Sequence, residues 1–251
     1  YFKENGTVTA ATSSGINDQD VSSVFDELTS DANRLKIAIT KSDGVTEQYV
    51  EIEKWDDASE EAWLWTKVPL LSSSSDTNIY LYYDSSASDN TTYVGDIGST
   101  PGQAVWDANF KGVFHMVDAT TSTIKDSTAN GDLVKQSANN PLEDTSPAVT
   151  GNNPNQLISS DFADDVTDVA ARRWGTADYT YEGWIYPTSN TAQDHVLWQG
   201  NDVYDHYLRF MVHDTYRLHA GASSPSGGTS WNAQTAQNTL AVNTWAHVAM
   251  V

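Results

Sequence analysis

Cysteine is absent from the 251 residues, so no disulfide contributes to stability and composition leaves no trace of a redox compartment. Long apolar runs are also missing. No stretch approaches the roughly 18 apolar residues of a membrane-spanning helix, and no membrane insertion is expected. The chain opens on Tyr1 with no leader-like stretch, which fits a processed chain or a piece of a longer one. Positive charge is scarce: 13 Lys and Arg stand against 34 Asp and Glu, a formal net charge of −21. A surface of that sign repels phosphate backbones and anionic lipid, so nucleic acid is not an expected partner. It suits solubility at high ionic strength and uptake of divalent cations. No Gly-rich phosphate loop and no nucleophile-elbow motif is present.

Aromatic residues are plentiful: 9 Trp, 12 Tyr and 6 Phe, large side chains that suit sheet faces and interfaces. Helical spacing occurs once. Asp20 is placed to cap a short helix near 20–30 that buries Val21, Val24, Phe25 and Leu28. Elsewhere the apolar residues alternate. Leu35, Ile37 and Ile39 share one strand face, and Ser42-Asp43-Gly44 supplies the turn that follows. Further strands are predicted over 49–55, 62–68, 78–83, 105–116, 179–186, 195–198, 207–212, 216–220 and 245–251. The stretch Thr91–Gly102, with Gly95, Gly98, Pro101 and Gly102, reads as a linker, and 221–230 reads as a loop. The expected fold class is therefore all-β: two tandem antiparallel β-sandwich domains, residues 1–102 and 103–251. Because the sequence stops inside an apolar strand, the second domain is expected to continue past Val251.

Two stretches resemble known families. Asp43-Gly44-Val45-Thr46-Glu47, Glu51-Ile52-Glu53-Lys54-Trp55-Asp56, Ala62-Trp63-Leu64-Trp65 and Ile79-Tyr80-Leu81-Tyr82-Tyr83 occur in order. Together they resemble a prokaryotic surface-protein domain of unknown function that precedes laminin-G-like domains. Departures occur at Gln48-Tyr49-Val50 and Asp84-Ser85. In the second half, Ala104-Val105-Trp106-Asp107, Gly112-Val113-Phe114-His115-Met116, Tyr179 to Pro187 and Asn243 to Ala249 resemble a concanavalin-A-like, laminin-G-like jelly roll. The resemblance implies a fold and a surface context, and no single ligand.

Several residue groups could carry chemistry. Glu51, Glu53 and Asp56 follow the i, i+2, i+5 spacing of acids on a glycosidase strand, and Glu51 and Glu53 share one face. Their bland reading, a solvated strand face beside Lys54, is preferred. Asp126, Thr128, Asn130 and Asp132 alternate around Gly131, but Ser137 stands where a calcium loop needs Glu. A β-turn is the simpler reading, with calcium held by Asp126, Asn130 and Asp132 as the alternative. Asn201, Asp202 and Asp205 form the second calcium candidate. No other cofactor is implied. The six histidines lack the helical spacing of zinc sites and read as half-buried strand residues, with His213 and His219 close on adjacent strands. Trp63 and Trp65, and Tyr80 and Tyr82, share faces opposite the aliphatic sets and are candidate interdomain or subunit contacts. Trp198, Trp231 and Tyr204 are the glycan-stacking candidates. The expected function is non-catalytic adhesion or recognition of a glycan or surface protein, outside the cell or on a virus particle. The alternative from another class is a self-assembling structural subunit of a filament, tail fibre or virion; a polysaccharide-active enzyme comes third.

Overall fold

The computed structural model describes residues 2–3, 22–118, 123–135, 142–143, 155–156, 163–164, 178–188, 194–201, 206–223 and 231–251. Contacts divide the chain into two compact units, Tyr1–Arg172 and Arg173–Val251. The fold is all-β, with mostly antiparallel sheets and two short α-helices among the described residues.

The first unit holds β1 (Phe2–Lys3), α1 (Ser22–Leu28), β2 (Ile37–Thr40), β3 (Glu47–Gln48), β4 (Val50–Asp56), β5 (Glu61–Thr66), β6 (Tyr80–Tyr83) and β7 (Val94–Asp96). It continues with α2 (Thr100–Gln103), β8 (Val134–Lys135), β9 (Leu142–Glu143), β10 (Asn155–Gln156) and β11 (Ala163–Asp164). Two sheets dominate, ordered β1-β5-β4-β7 and β3-β2-β6. Their shared core follows from the two periodicities in the sequence. Helical spacing buries Val24, Phe25 and Leu28 of α1; strand spacing buries Ile37 and Ile39 of β2 and Val50 and Ile52 of β4. The β2–β3 turn is closed by Asp43, whose carboxylate accepts the Val45 and Thr46 N–H groups. Gly44 supplies the positive φ of +70° that this turn requires. Asp20 lies outside the described residues.

Two expectations are corrected here. Thr91–Gly102 is not a linker: it contains β7, which runs parallel to β4 with Val50 opposite Val94 and Ile52 opposite Asp96. Helix α2 follows, with Ser99 Oγ accepting the Gly102 N–H at 3.2 Å. Pro101 and Gly102 are buried. Glycine is needed at 102 because a Cβ there would lie 2.7 Å from the Asp96 carbonyl oxygen. A loop and a tight packing point use the same residue types, which is why breaker residues misled. Second, 105–116 forms no strand. Turn hydrogen bonds run from Val105 N to Gly102 O and from Phe110 N to Asp107 O, and the stretch falls in the first unit. Its alternating apolar residues anchor one by one instead of building a ladder.

The second unit holds β12 (Tyr181–Ile185), β13 (Asp194–Asn201), β14 (His206–His213), β15 (Arg217–Ser223), β16 (Trp231–Gln234) and β17 (Ala246–Met250). Its sheets are β12-β17 and β13-β14-β15-β16. Each gives one face to a common core: Leu208, Phe210, Val212 and Ala222 from the larger sheet, Val248 and Met250 from the smaller, with Leu240 between them in sequence. That is a sandwich. Strand β16 was unexpected, because Trp231-Asn232-Ala233-Gln234 carries little of the β-branched signal that marks a strand.

Candidate functional site

In the first unit, β4 puts Glu51 and Glu53 on the face turned away from the aliphatic core. A register shift between Ile52 and Lys54 makes Glu53 the bulged residue, and a bulge re-aims its side chain. Segment 104–116 covers that face. The His115 ring stands between the two acids, Nε2 at 3.2 Å from Glu51 Oε2 and Nδ1 at 3.1 Å from Glu53 Oε2. Trp106 Nε1 donates to Glu51 Oε2 at 2.8 Å, and Trp65 Nε1 donates to Glu53 Oε2 at 2.6 Å. The Trp65 ring packs on Trp106 and on His115, each at 5.5 Å between centroids.

Both ring nitrogens can donate only in the imidazolium form. Burial alone would lower the His115 pKa, but the hydrogen bonds to Glu51 and Glu53 outweigh it and push the value up to about 9. The expectation of a solvated acidic face is therefore corrected: the Glu51 and Glu53 side chains are 0% and 1% exposed. So is the reading of His115 as a half-buried strand histidine bonded to backbone. Neither carboxylate can reach a polysaccharide, as a glycosidase pair must. The cluster fastens Trp106 and His115 to β4.

The Asp126–Asp132 turn lies in the same unit. Asp126 is buried and accepts the Val113 N–H, the Thr128 N–H and the Thr128 hydroxyl. Asp132 accepts the Asp126 N–H and the Lys125 ammonium. Asn130 donates to Lys111 O and Thr128 Oγ1. These contacts build a turn from side-chain acceptors. Among the described residues no group of three acids or histidines is placed to hold a metal ion. Beside the turn lies a shallow depression of about 330 Å³ lined by Trp106, Phe110, Lys111, Thr128 and Asn130.

The remaining candidates scatter. Trp65 is on the acid-bearing face, whereas Tyr80 and Tyr82 of β6 are half exposed and Tyr82 Oη donates to Gly44 O. Trp63 of β5 stands opposite Lys54. Trp198 lies within β13, opposite Arg209, and Trp231 within β16, opposite Ala222. Asn201 ends β13 opposite His206. Tyr204, Asp202 and Asp205 lie outside the described residues, as do the side chains of Trp198 and Asn201.

Strand alternation in the second unit brings together groups that sequence reading passed over. Leu208, Phe210 and Val212 face the core, so Arg209, Met211 and His213 lie on the opposite face, with Gly221, His219 and Arg217 across the ladder; Met211 and His219 are buried there too. Period two alone could have placed Arg209 beside His213 and Arg217 beside His219. On the smaller sheet Trp184 and Tyr186 face outward, 53% and 42% exposed. Their rings pack on His247 and Trp245.

Residues 161–251 match the family model of the Concanavalin A-like lectin/glucanases superfamily, Laminin_G_3. That stretch includes every described strand of the second unit. A crystal structure of an S-layer domain-containing protein from Clostridium thermocellum is similar at 15% identity and a TM-score of 0.38, over 53% of this chain and 60% of that one. The similarity thus spans less than two thirds of that neighbour. No curated protein matches the chain.

Proposed function

We propose that this chain is a recognition module of an extracellular or cell-surface protein that binds carbohydrate without modifying it. The observation that carries the reading is the exposed edge strand β16 of the β13-β14-β15-β16 sheet. In a segment similar to lectins and glucanases, this strand presents Trp231, Asn232 and Gln234 to solvent. Planar hydrogen-bonding side chains on a rigid sheet suit the hydroxyl-rich surface of a sugar. Action by binding alone is supported by the burial of Glu51 and Glu53, the acids at glycosidase-like spacing. The first unit is read as the companion domain that its motifs resemble. A glycan array with the intact chain, with and without calcium, tests the reading. Retention on at least one saccharide class, with the polysaccharide unshortened after long incubation, is expected; no retention in either condition defeats it.

A second reading, self-assembly or contact with another surface protein, draws on the row formed by Trp184 and Tyr186. Outward aromatics of this size fit a protein contact. Sedimentation at rising concentration tests it, and a monomer throughout excludes self-assembly.

A further inference from the structure

The depression of about 330 Å³ beside the Asp126–Asp132 turn lies wholly within the first unit, and Gln103 and Asp107 line it together with Trp106, Phe110, Lys111 and Asn130. Two irregular segments form it, and both are fixed. Segment 104–116 is pinned to β4 by Trp106 Nε1, which donates to Glu51, and by the His115 ring between Glu51 and Glu53. Hydrogen bonds tie the turn to that segment in its place. Asp126 accepts the Val113 N–H at 3.0 Å, the Ser127 N–H donates to Val113 O at 2.8 Å, and Asn130 Nδ2 donates to Lys111 O at 3.2 Å. Loops held this way present their side chains in one arrangement before any ligand arrives, which cuts the ordering cost of binding.

Phe110 is 45% exposed, and its ring stands edge-on to Trp106 at 5.1 Å and 71°. The pair offers an apolar surface that a ligand can cover. Polar groups with bonding capacity in hand surround it. Lys111 is exposed and gives one of its three N–H donors to Ala108 O. The Asn130 amide spends its N–H groups on Lys111 O and Thr128 Oγ1, which leaves Oδ1 to accept. Gln103 Nε2 donates to Thr128 O at 3.4 Å and leaves Oε1 to accept as well. A wholly apolar ligand would strip water from these groups and return no bond. An anion would meet the Asp107 carboxylate, whose partner Lys67 is already committed at 2.9 Å, with Lys111 the one cation among the lining residues. A neutral sugar residue matches what remains: an apolar ring face for Phe110, and hydroxyls that donate to Asn130 and Gln103 and accept from Lys111. The volume lies at the low end of the roughly 300–1,000 Å³ of ligand clefts, which suits one residue or a short chain end.

We propose that this depression is a second carbohydrate site, resting on the recognition reading above, which takes a neutral sugar residue through Phe110, Lys111, Asn130 and Gln103. Calorimetric titration of the intact chain with cellotetraose, xylotetraose, mannotetraose and chitotetraose tests it, with tetragalacturonate as the anionic control. At least one neutral tetramer is expected to bind. Phe110→Ala is expected to weaken that binding about tenfold, whereas Trp231→Ala, on β16, leaves the Phe110-dependent part in place. Neutral binding that Phe110→Ala leaves unchanged, or that Trp231→Ala alone abolishes, overturns the second site and leaves recognition through β16 standing. Binding of tetragalacturonate alone does the same. No binding of any tetramer also overturns the second site, and a blank glycan array beside it overturns both. If Phe110→Ala fails to fold, Lys111→Ala, which removes only an exposed ammonium, gives the second readout. It is expected to weaken the same binding about fivefold; unchanged affinity overturns the assignment.

Discussion

His115 in the first unit and His219 in the second are both buried, yet their surroundings drive them to opposite charge states. His115 stands between Glu51 and Glu53, and those hydrogen bonds overcome desolvation and hold a proton to about pH 9. His219 has no carboxylate among the described groups that shift it; desolvation and the neighbouring Arg209, His213 and Arg217 all press against a proton. One ring is a buried ion satisfied on both sides, the other a neutral ring satisfied on neither. The difference teaches that burial alone does not decide what a histidine does. A satisfied ion clamps a segment, and an unsatisfied neutral ring leaves bonding capacity for a partner.

The largest test of this contrast is His115→Ala. It strands two buried carboxylates without their counter-ion and should cost about 3–5 kcal/mol in chemical denaturation. An effect within error would show that the clamp does not hold segment 104–116. Next comes pH. The His115 contribution, up to about 3 kcal/mol, is complete below the ordinary pKa near 6.5 and lost as pH rises through about 9. The lowered His219 pKa has the opposite sign: its contribution is present above about 6.5 and lost on acidification through the folded value. Denaturation midpoints against pH should therefore fall on both sides, with His115→Gln flattening the alkaline limb and His219→Gln easing the acid one. Smaller still, His219→Leu removes a buried ring that nothing satisfies and should be neutral or stabilising by about 1 kcal/mol. A loss above that would reveal a structural role. Trp184→Ser should change stability by less than about 0.5 kcal/mol, while abolishing any self-association seen by sedimentation.

Much of the architecture was legible because strand and helix periodicities are local. Val24, Phe25 and Leu28, Ile37 and Ile39, and Val50 and Ile52 could each be assigned to a buried face from neighbours a few positions away, and they form one core. The shared face of Glu51 and Glu53 was equally readable. Its burial was not, because the cover comes from Trp106 and His115, 55 and 64 positions further on. Glycine and proline misled at 91–102 because the same residues that break a chain also let α2 approach β7 closely. The closeness of His213 and His219 could be anticipated from adjacent strands. Arg209 and Arg217 could have been added by the same alternation, had the ladder been carried through on both faces.

By itself, the sequence determined the class of fold. Alternating apolar residues of suitable length have few ways to hide their faces other than in layered sheets, and that constraint acts within each segment. Only the tertiary structure decided which acids are sealed, which histidine is charged and which buried ring is left unsatisfied. Those outcomes depend on desolvation and on partners within a few ångströms, and the partners are supplied by chain segments remote in sequence.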